Sequence, residues 1–214
     1  AGLTAELNTP RFQEDAEREA FVLDAQRKGG LVWETTVPTG AASVYGATLT
    51  VQSDGSVLAS GKNPDRDEHF MTLRTRGGGL RLLMLEALTH KSLNGRVGRA
   101  DNGNAVLTSV DAQAVSLADP SQQMPVRFTW AWADFEQEGG DFRAINLLDD
   151  WDERGWAVDG INRRDGRVAL FLADRPFGFE GGTEVRVRLR YDSVHARHTL
   201  GRVRLTLARF EEGG

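Results

Sequence analysis

From Leu31 onward, apolar and polar residues alternate in short runs. "LVWETTV" (31–37) opens the series, and "ATLTVQSDGSVLASG" (47–61) alternates on both sides of Asp54-Gly55. An Asp-Gly pair between two alternating runs is the strongest local hairpin signal, because glycine accepts the positive φ that a tight turn demands. "HFMTLRT" and "LRLLMLEAL" follow, divided by Gly77-Gly78-Gly79. Then come "NAVLTSVDAQAV", "VRFTWAWADF", "RVALFLA", "TEVRVRLRYD" and "GRVRLTLARF", with Gly, Asp and Asn gathered between the runs. Many short strands at near-even spacing predict a sandwich or barrel. In "EVRVRLRY" and "RVRLTLARF" aliphatic residues alternate with Arg or Thr. That predicts one buried face, one wet face and an antiparallel sheet. No helical segment recurs between strands, which argues against a parallel α/β sheet.

The first thirty residues break this pattern. Thr9-Pro10 fits an N-cap and first helical residue, and "RFQEDAEREAFVLDAQRK" follows. Phe12, Ala16, Ala20 and Leu23 form a thin apolar stripe that Gly29-Gly30 ends. Residues 1–30 are therefore read as a short connector helix on the domain edge, and residues 31–214 as one β-sandwich domain. "ADPSQQMP" (118–125) has the composition of a linker, but each half would hold too few strands to close.

The chain has 214 residues, 40% of them hydrophobic and 27% charged, enough to bury a core without staples. It has no cysteine, which excludes disulfides, thiolate metal sites, c-type haem attachment and a Cys nucleophile within it. The net charge of −5 argues against non-specific nucleic-acid binding. No apolar run is long enough to span a membrane. The polar N-terminus has no secretory apolar region. It reads as a cut inside a longer polypeptide or a processed start, with covalently linked neighbouring domains expected.

Several phrases carry a resemblance. "SDGSVLASGKNPDRDEHF", "LRLLMLEAL", "GRADNGNAVLTSVD", "AWADFEQEGGDFRAINLLDD", "GWAV" and "HTLGRVRLTLA" stand here in order. The chain over roughly 33–210 resembles a β-sandwich domain of large multi-domain proteins of planctomycete and verrucomicrobial type. In those proteins the domain shares a polypeptide with c-type cytochrome segments. That domain brings no assigned activity, so the resemblance implies fold and context only. More distantly, "AINLLDDWDERGW" (144–156) resembles the galactose-binding-like or discoidin-like jelly roll. Here Asp149-Asp150 replaces that pattern's Asp-Gly turn, and Trp151 is extra. Many members of that superfamily bind glycans through loops at one end, often beside a structural calcium. In the resembled pattern the later Trp is a core residue, which assigns Trp156 to the core.

The candidate chemistry lies in the turns. In "GRADNGNAVLT" (98–108) and just before it, Gly95, Gly98 and Gly103 are read as supplying positive φ. Asp101, Asn102 and Asn104 are read as closing Asx turns, which makes the stretch a strand-entry turn. The same residues, with Arg99, also suit a sugar, whose hydroxyls both donate and accept. In "LLDDWDERGW" (147–156), Asp149, Asp150, Asp152, Glu153 and Arg154 crowd around Trp151. An indole on an acidic loop suits a pyranose, whose apolar face stacks on the ring. Asp149, Asp150 and Asp152 are also candidate oxygen ligands for a structural calcium, although the spacing of an EF-hand is absent. Asp65, Asp67 and Glu68 offer the same ligands, with an acidic hairpin tip the simpler reading. Phe128, Trp130 and Trp132 are expected on one strand face, as core or, on a concave surface, as a platform for an extended polysaccharide. His195 and His198 lack a third zinc ligand. The stretch "HTLGR" resembles a structural one in the resembled β-sandwich domain, which implies that His198 is a buried hydrogen-bonding residue.

No G-x-S-x-G elbow, phosphate loop or dinucleotide fingerprint occurs. Paired carboxylates among 31 acidic residues arise by chance and give little support to glycoside hydrolysis. The expectation is an all-β, antiparallel jelly-roll sandwich of galactose-binding-like type. Its expected role is a non-catalytic carbohydrate-binding module of a larger extracytoplasmic protein, with polysaccharide or oligosaccharide as partner. The expected cofactors are none beyond the calcium ion. The alternative is a structural or protein-docking domain of a large cytochrome-containing assembly, using the Arg-rich faces of the last two strands.

Overall fold

The computed structural model describes residues 30–148 and 154–211. The alternating runs become antiparallel strands. They are β1 (Leu31–Thr35), β2 (Gly40–Ser43), β3 (Ala47–Val51), β4 (Ser56–Gly61), β5 (Asp67–Thr75), β6 (Leu80–Ala87) and β7 (Val106–Leu107). The series continues with β8 (Ser109–Ser116), β9 (Gln123–Val126), β10 (Phe128–Ala133), β11 (Trp156–Ala157), β12 (Arg167–Phe177), β13 (Thr183–Tyr191) and β14 (Arg202–Phe210). One sheet runs β10-β12-β6-β14-β4-β3, with β1 also paired to β14. The second runs β2-β5-β13-β8-β9, and β7 and β11 form a small third ladder. Most connections cross from one large sheet to the other, the interleaving expected of a jelly roll. The expected helix over the first residues lies outside the described residues.

The hairpin signal at Asp54-Gly55 holds. Val51 pairs with Val57, Gly55 has φ +80°, and Asp54 Oδ1 accepts from the Ser56 amide at 3.1 Å. Between the sheets Leu73, Leu85, Phe171, Val187 and Leu205 are buried in one core. Trp156 belongs to it, fully buried, with its indole N–H donating to the Phe135 carbonyl at 2.8 Å.

Strand β13 alternates as expected, with Val185, Val187 and Leu189 inward and charged residues outward. Strand β14 does not, because Thr206 and Ala208 on its outer side are also buried. The register explains this. Trp33, Ala208, Leu82, Leu172 and Trp130 form one cross-strand row on the outer face, and Thr35, Thr206, Met84, Leu170 and Trp132 form the next. Ala208 thus lies between Trp33 and Leu82, Thr206 lies between Thr35 and Met84, and the expected wet face is largely apolar along these rows.

A register shift between Phe128 and Trp130 corrects a second expectation. The extra residue sends Phe128 inward, 5.7 Å from the Phe171 ring, and sends Trp130 and Trp132 outward. The three aromatics therefore do not share a face.

Antiparallel pairing also sorts the loops by end. Ala87 sits opposite Arg167 and Val203, and Asp67 opposite Tyr191. Segments 62–66, 88–105 and 192–201, with the described parts of 134–166, therefore gather at one end. The other end carries the shorter turns between β3 and β4 and between β5 and β6. Replacing Trp156 with Ala would remove the indole and its hydrogen bond from the closed core. We expect a loss of about 3–5 kcal/mol of stability, read by denaturant unfolding.

Candidate functional site

The loop end is built from backbone packed on backbone. A side chain at Gly98 would overlap the Asn104 carbonyl, and one at Gly160 would overlap the Gly103 carbonyl. Gly98 N donates to the Gly103 carbonyl at 3.1 Å, and Gly103 N to the Ala100 carbonyl at 2.7 Å. Gly95 and Gly103 have the expected positive φ. Gly98 does not, and it is required for close approach instead. Asn102 closes the expected Asx turn, its Oδ1 accepting from Asn104 N at 3.0 Å.

Asn104 is an internal tie. It is buried, its Nδ2 donates to Gln137 Oε1 at 2.8 Å, and its Oδ1 accepts from Gly160 N at 3.0 Å. That amide joins three loops and offers nothing to a sugar at the rim. Segment 97–99 is held against segment 199–201, with Arg99 N donating to the Thr199 carbonyl and Gly201 N to the Val97 carbonyl. Arg99 Nη2 donates to the Gly61 and Lys62 carbonyls at 2.9 and 3.0 Å, which pins the β4–β5 connection.

This framework encloses a cavity of about 420 Å³. Arg96, Arg99 and Arg164 line it, with Ser92, Asn94 and Asp101. Arg96 Nη1 donates to the Asn102 carbonyl, and Arg164 Nη1 to the Asn94 carbonyl at 3.1 Å. Both bonds go to uncharged carbonyls. Arg99 Nη1 is buried without a hydrogen-bond partner among the described residues. Burial lowers the pKa of Arg99, with the charge of Asp67 opposing. Asp101 is exposed and also lines a second cavity of about 220 Å³ with Arg197 and His198. His198 is half-buried rather than buried, and its Nδ1 donates to the Ala196 carbonyl at 2.9 Å.

Of the residues singled out from sequence, Arg99 and Asp101 meet at this cavity, and Asn102 borders the second one. Arg154 stands elsewhere, paired with Asp141, whose carboxyl is held below its usual range first by the Arg143 hydrogen bond. Asp149, Asp150, Trp151 and Asp152, with the calcium reading that rests on them, lie outside the described residues. No cluster of three or more metal-ligating side chains occurs among the described residues. Trp130 is only 3% exposed, so its ring offers no face for stacking, and Trp132 is half-buried. Arg96, Ser92, Asn94 and Arg164 were not picked out from sequence. Arg96 had a local signal, standing two residues before Gly98. Arg164 is 68 positions beyond Arg96, and only the fold brings it in.

The arginines of the last strands are already engaged. Arg186 pairs with Glu184, Arg188 with Asp111, Arg202 with Asp54 and Arg204 with Glu86. Each of these guanidinium groups is paired with a carboxylate, and the Arg186 side chain stays about half exposed.

Beneath the loop end lies a buried polar cluster that the sequence did not announce. Ser43 Oγ donates to both oxygens of Asp67 at 2.8 Å, and His69 Nε2 lies 3.2 Å from Asp67 Oδ2. The residue types match a hydrolytic triad, but the connectivity does not. The hydroxyl bonds the carboxylate rather than the imidazole, and Asp67 and His69 are both sealed from solvent. Burial pushes the Asp67 carboxyl up. Hydrogen bonds from His69, Ser43 and the Tyr45 amide outweigh it and bring the pKa down to about 2.

The chain matches no family model, no curated protein and no solved structure.

Two outcomes follow. Gly98→Ala forces apart the 98–104 turn, and we expect a loss of about 2 kcal/mol or more in denaturant unfolding. For Asp67, the folded pKa of about 2 lies below the ordinary 3.8. Its contribution, about 2 kcal/mol, is full above the unfolded pKa and is lost as pH falls from about 4 toward 2. Asp67→Asn should therefore destabilise the protein at neutral pH and flatten the fall in melting temperature below pH 4.

Proposed function

We propose that the protein is a non-catalytic carbohydrate-binding module whose ligand sits in the loop-end cavity. The observation that carries this reading is the chemistry of the lining. Arg, Asn, Ser and Asp side chains converge on one concavity of about 420 Å³, a size that suits one or two sugar units. Guanidinium and amide groups donate, amide and carboxylate oxygens accept, and sugar hydroxyls do both. Among the described residues the cavity lining holds a single carboxylate, Asp101, where glycoside hydrolysis ordinarily takes two. That favours holding a ligand over cleaving it.

Hydrogen bonding at the loops, rather than aromatic stacking on a sheet face, is then the mode of recognition. The calcium ion expected on Asp149, Asp150 and Asp152 remains part of the proposal. The extracytoplasmic parent protein and its linked domains rest on the resemblance alone.

The test is a glycan array followed by affinity gels, run with and without calcium. We expect retardation by a defined polysaccharide, with Kd roughly in the micromolar to millimolar range. Asp101→Ala, at an exposed position, should weaken binding about tenfold with the fold intact by circular dichroism. A folded protein that binds nothing across a broad panel would overturn the reading.

A further inference from the structure

The chain carries a net charge of −5, and several of its strand arginines, such as Arg74, Arg188 and Arg204, sit beside carboxylates. Arg96, Arg99 and Arg164 face one cavity from two separate loops, and their described hydrogen bonds all end on backbone carbonyls. No ion pair within 4 Å is found for any of the three among the described residues. Among the described residues the lining holds three guanidinium groups and one carboxylate, Asp101, while the buried Asp67 charge also acts on Arg99.

Gathering three like charges in a concavity costs Coulomb energy, and a bound anion recovers it. Low-dielectric walls and a single sign of charge also focus the field on incoming anions. Guanidinium forks match planar carboxylates and tetrahedral sulfates in a way that neutral hydroxyls do not. We infer that the sugar held in the loop-end cavity is an acidic one, bearing a carboxylate or a sulfate that Arg96, Arg99 and Arg164 receive. This rests on the carbohydrate-binding reading and adds the charge class of the ligand. Ser92, Asn94 and Asp101 are left to meet the hydroxyls of the same sugar.

The experiment is calorimetric titration of the full chain with four probes. They are a galacturonate oligomer, a sulfated galactan oligomer, a neutral galactan oligomer and inorganic sulfate. Binding of either acidic oligomer at least tenfold tighter than the neutral one supports the inference, and the two acidic arms separate carboxylate from sulfate. Arg164→Gln, at an exposed position with one described hydrogen bond, should weaken the acidic oligomer about tenfold and the neutral one by no more than about twofold. If Arg164→Gln fails to fold, raising the salt from 50 to 500 mM on the unaltered chain should produce the same selective loss. Equal affinity for neutral and acidic oligomers, insensitive to salt, would overturn the acidic class while leaving the carbohydrate reading intact. Inorganic sulfate binding as tightly as the sulfated oligomer would overturn the carbohydrate reading itself. No binding by any probe would overturn both.

Discussion

Backbone pressed against backbone at Gly98, Asn104 and Gly160 is the constraint on which the loop end depends. Side chains cannot be inserted at Gly98 or Gly160 without moving a carbonyl of the neighbouring loop. The Asn104 amide then locks the 98–104 turn to Gln137 and to Gly160. Arg99 extends the lock to the β4–β5 connection. Loops usually pay for irregularity with mobility. Here the hydrogen bonds and close approaches supply the order that regular pairing supplies within the sheets. A cavity set in such a frame meets its ligand already shaped, which lowers the ordering cost of binding.

The sandwich beneath serves this end unevenly. Its two sheets bury one shared core, yet the larger sheet is also largely apolar along two rows of its outer face, beside the Arg204–Glu86 pair. The smaller sheet carries matched charges on its outer face, such as Arg188 with Asp111 and Arg74 with Glu184. At the loop end, the described side-chain hydrogen bonds of Arg96, Arg99 and Arg164 go to backbone carbonyls instead. The buried Asp67–His69 pair sits just below it. There it fixes the start of β5 through Ser43 and the Tyr45 amide rather than by taking part in chemistry.

Period-two alternation made most of the strands legible, and the Asp-Gly and Gly-Gly-Gly signals placed their turns. Three strands escaped it. Gly40–Ser43 is made of small residues with no apolar contrast, Trp156–Ala157 is too short to show a period, and Gln123–Val126 overlaps the polar, proline-bearing stretch that has the composition of a linker. The bulge at Thr129 was invisible because alternation looks unbroken until one residue is counted out of the ladder. Two of the six polar lining side chains could be read locally, since Arg99 and Asp101 share one glycine-rich turn. Asn104 looked the same in sequence, and only its contacts turn it inward. Arg164 enters from a loop far along the chain, and no local pattern carries such a juxtaposition.

Recognition at the loop end, as opposed to a sheet face, is tested most directly by mapping amide chemical shifts while a galacturonate oligomer is added. The account predicts perturbations concentrated at residues 92–101 and around Arg164, with the strands of both sheets still. Shifts that instead cluster on the Trp33–Trp132 face or around Phe70, with residues 92–101 unmoved, would contradict it.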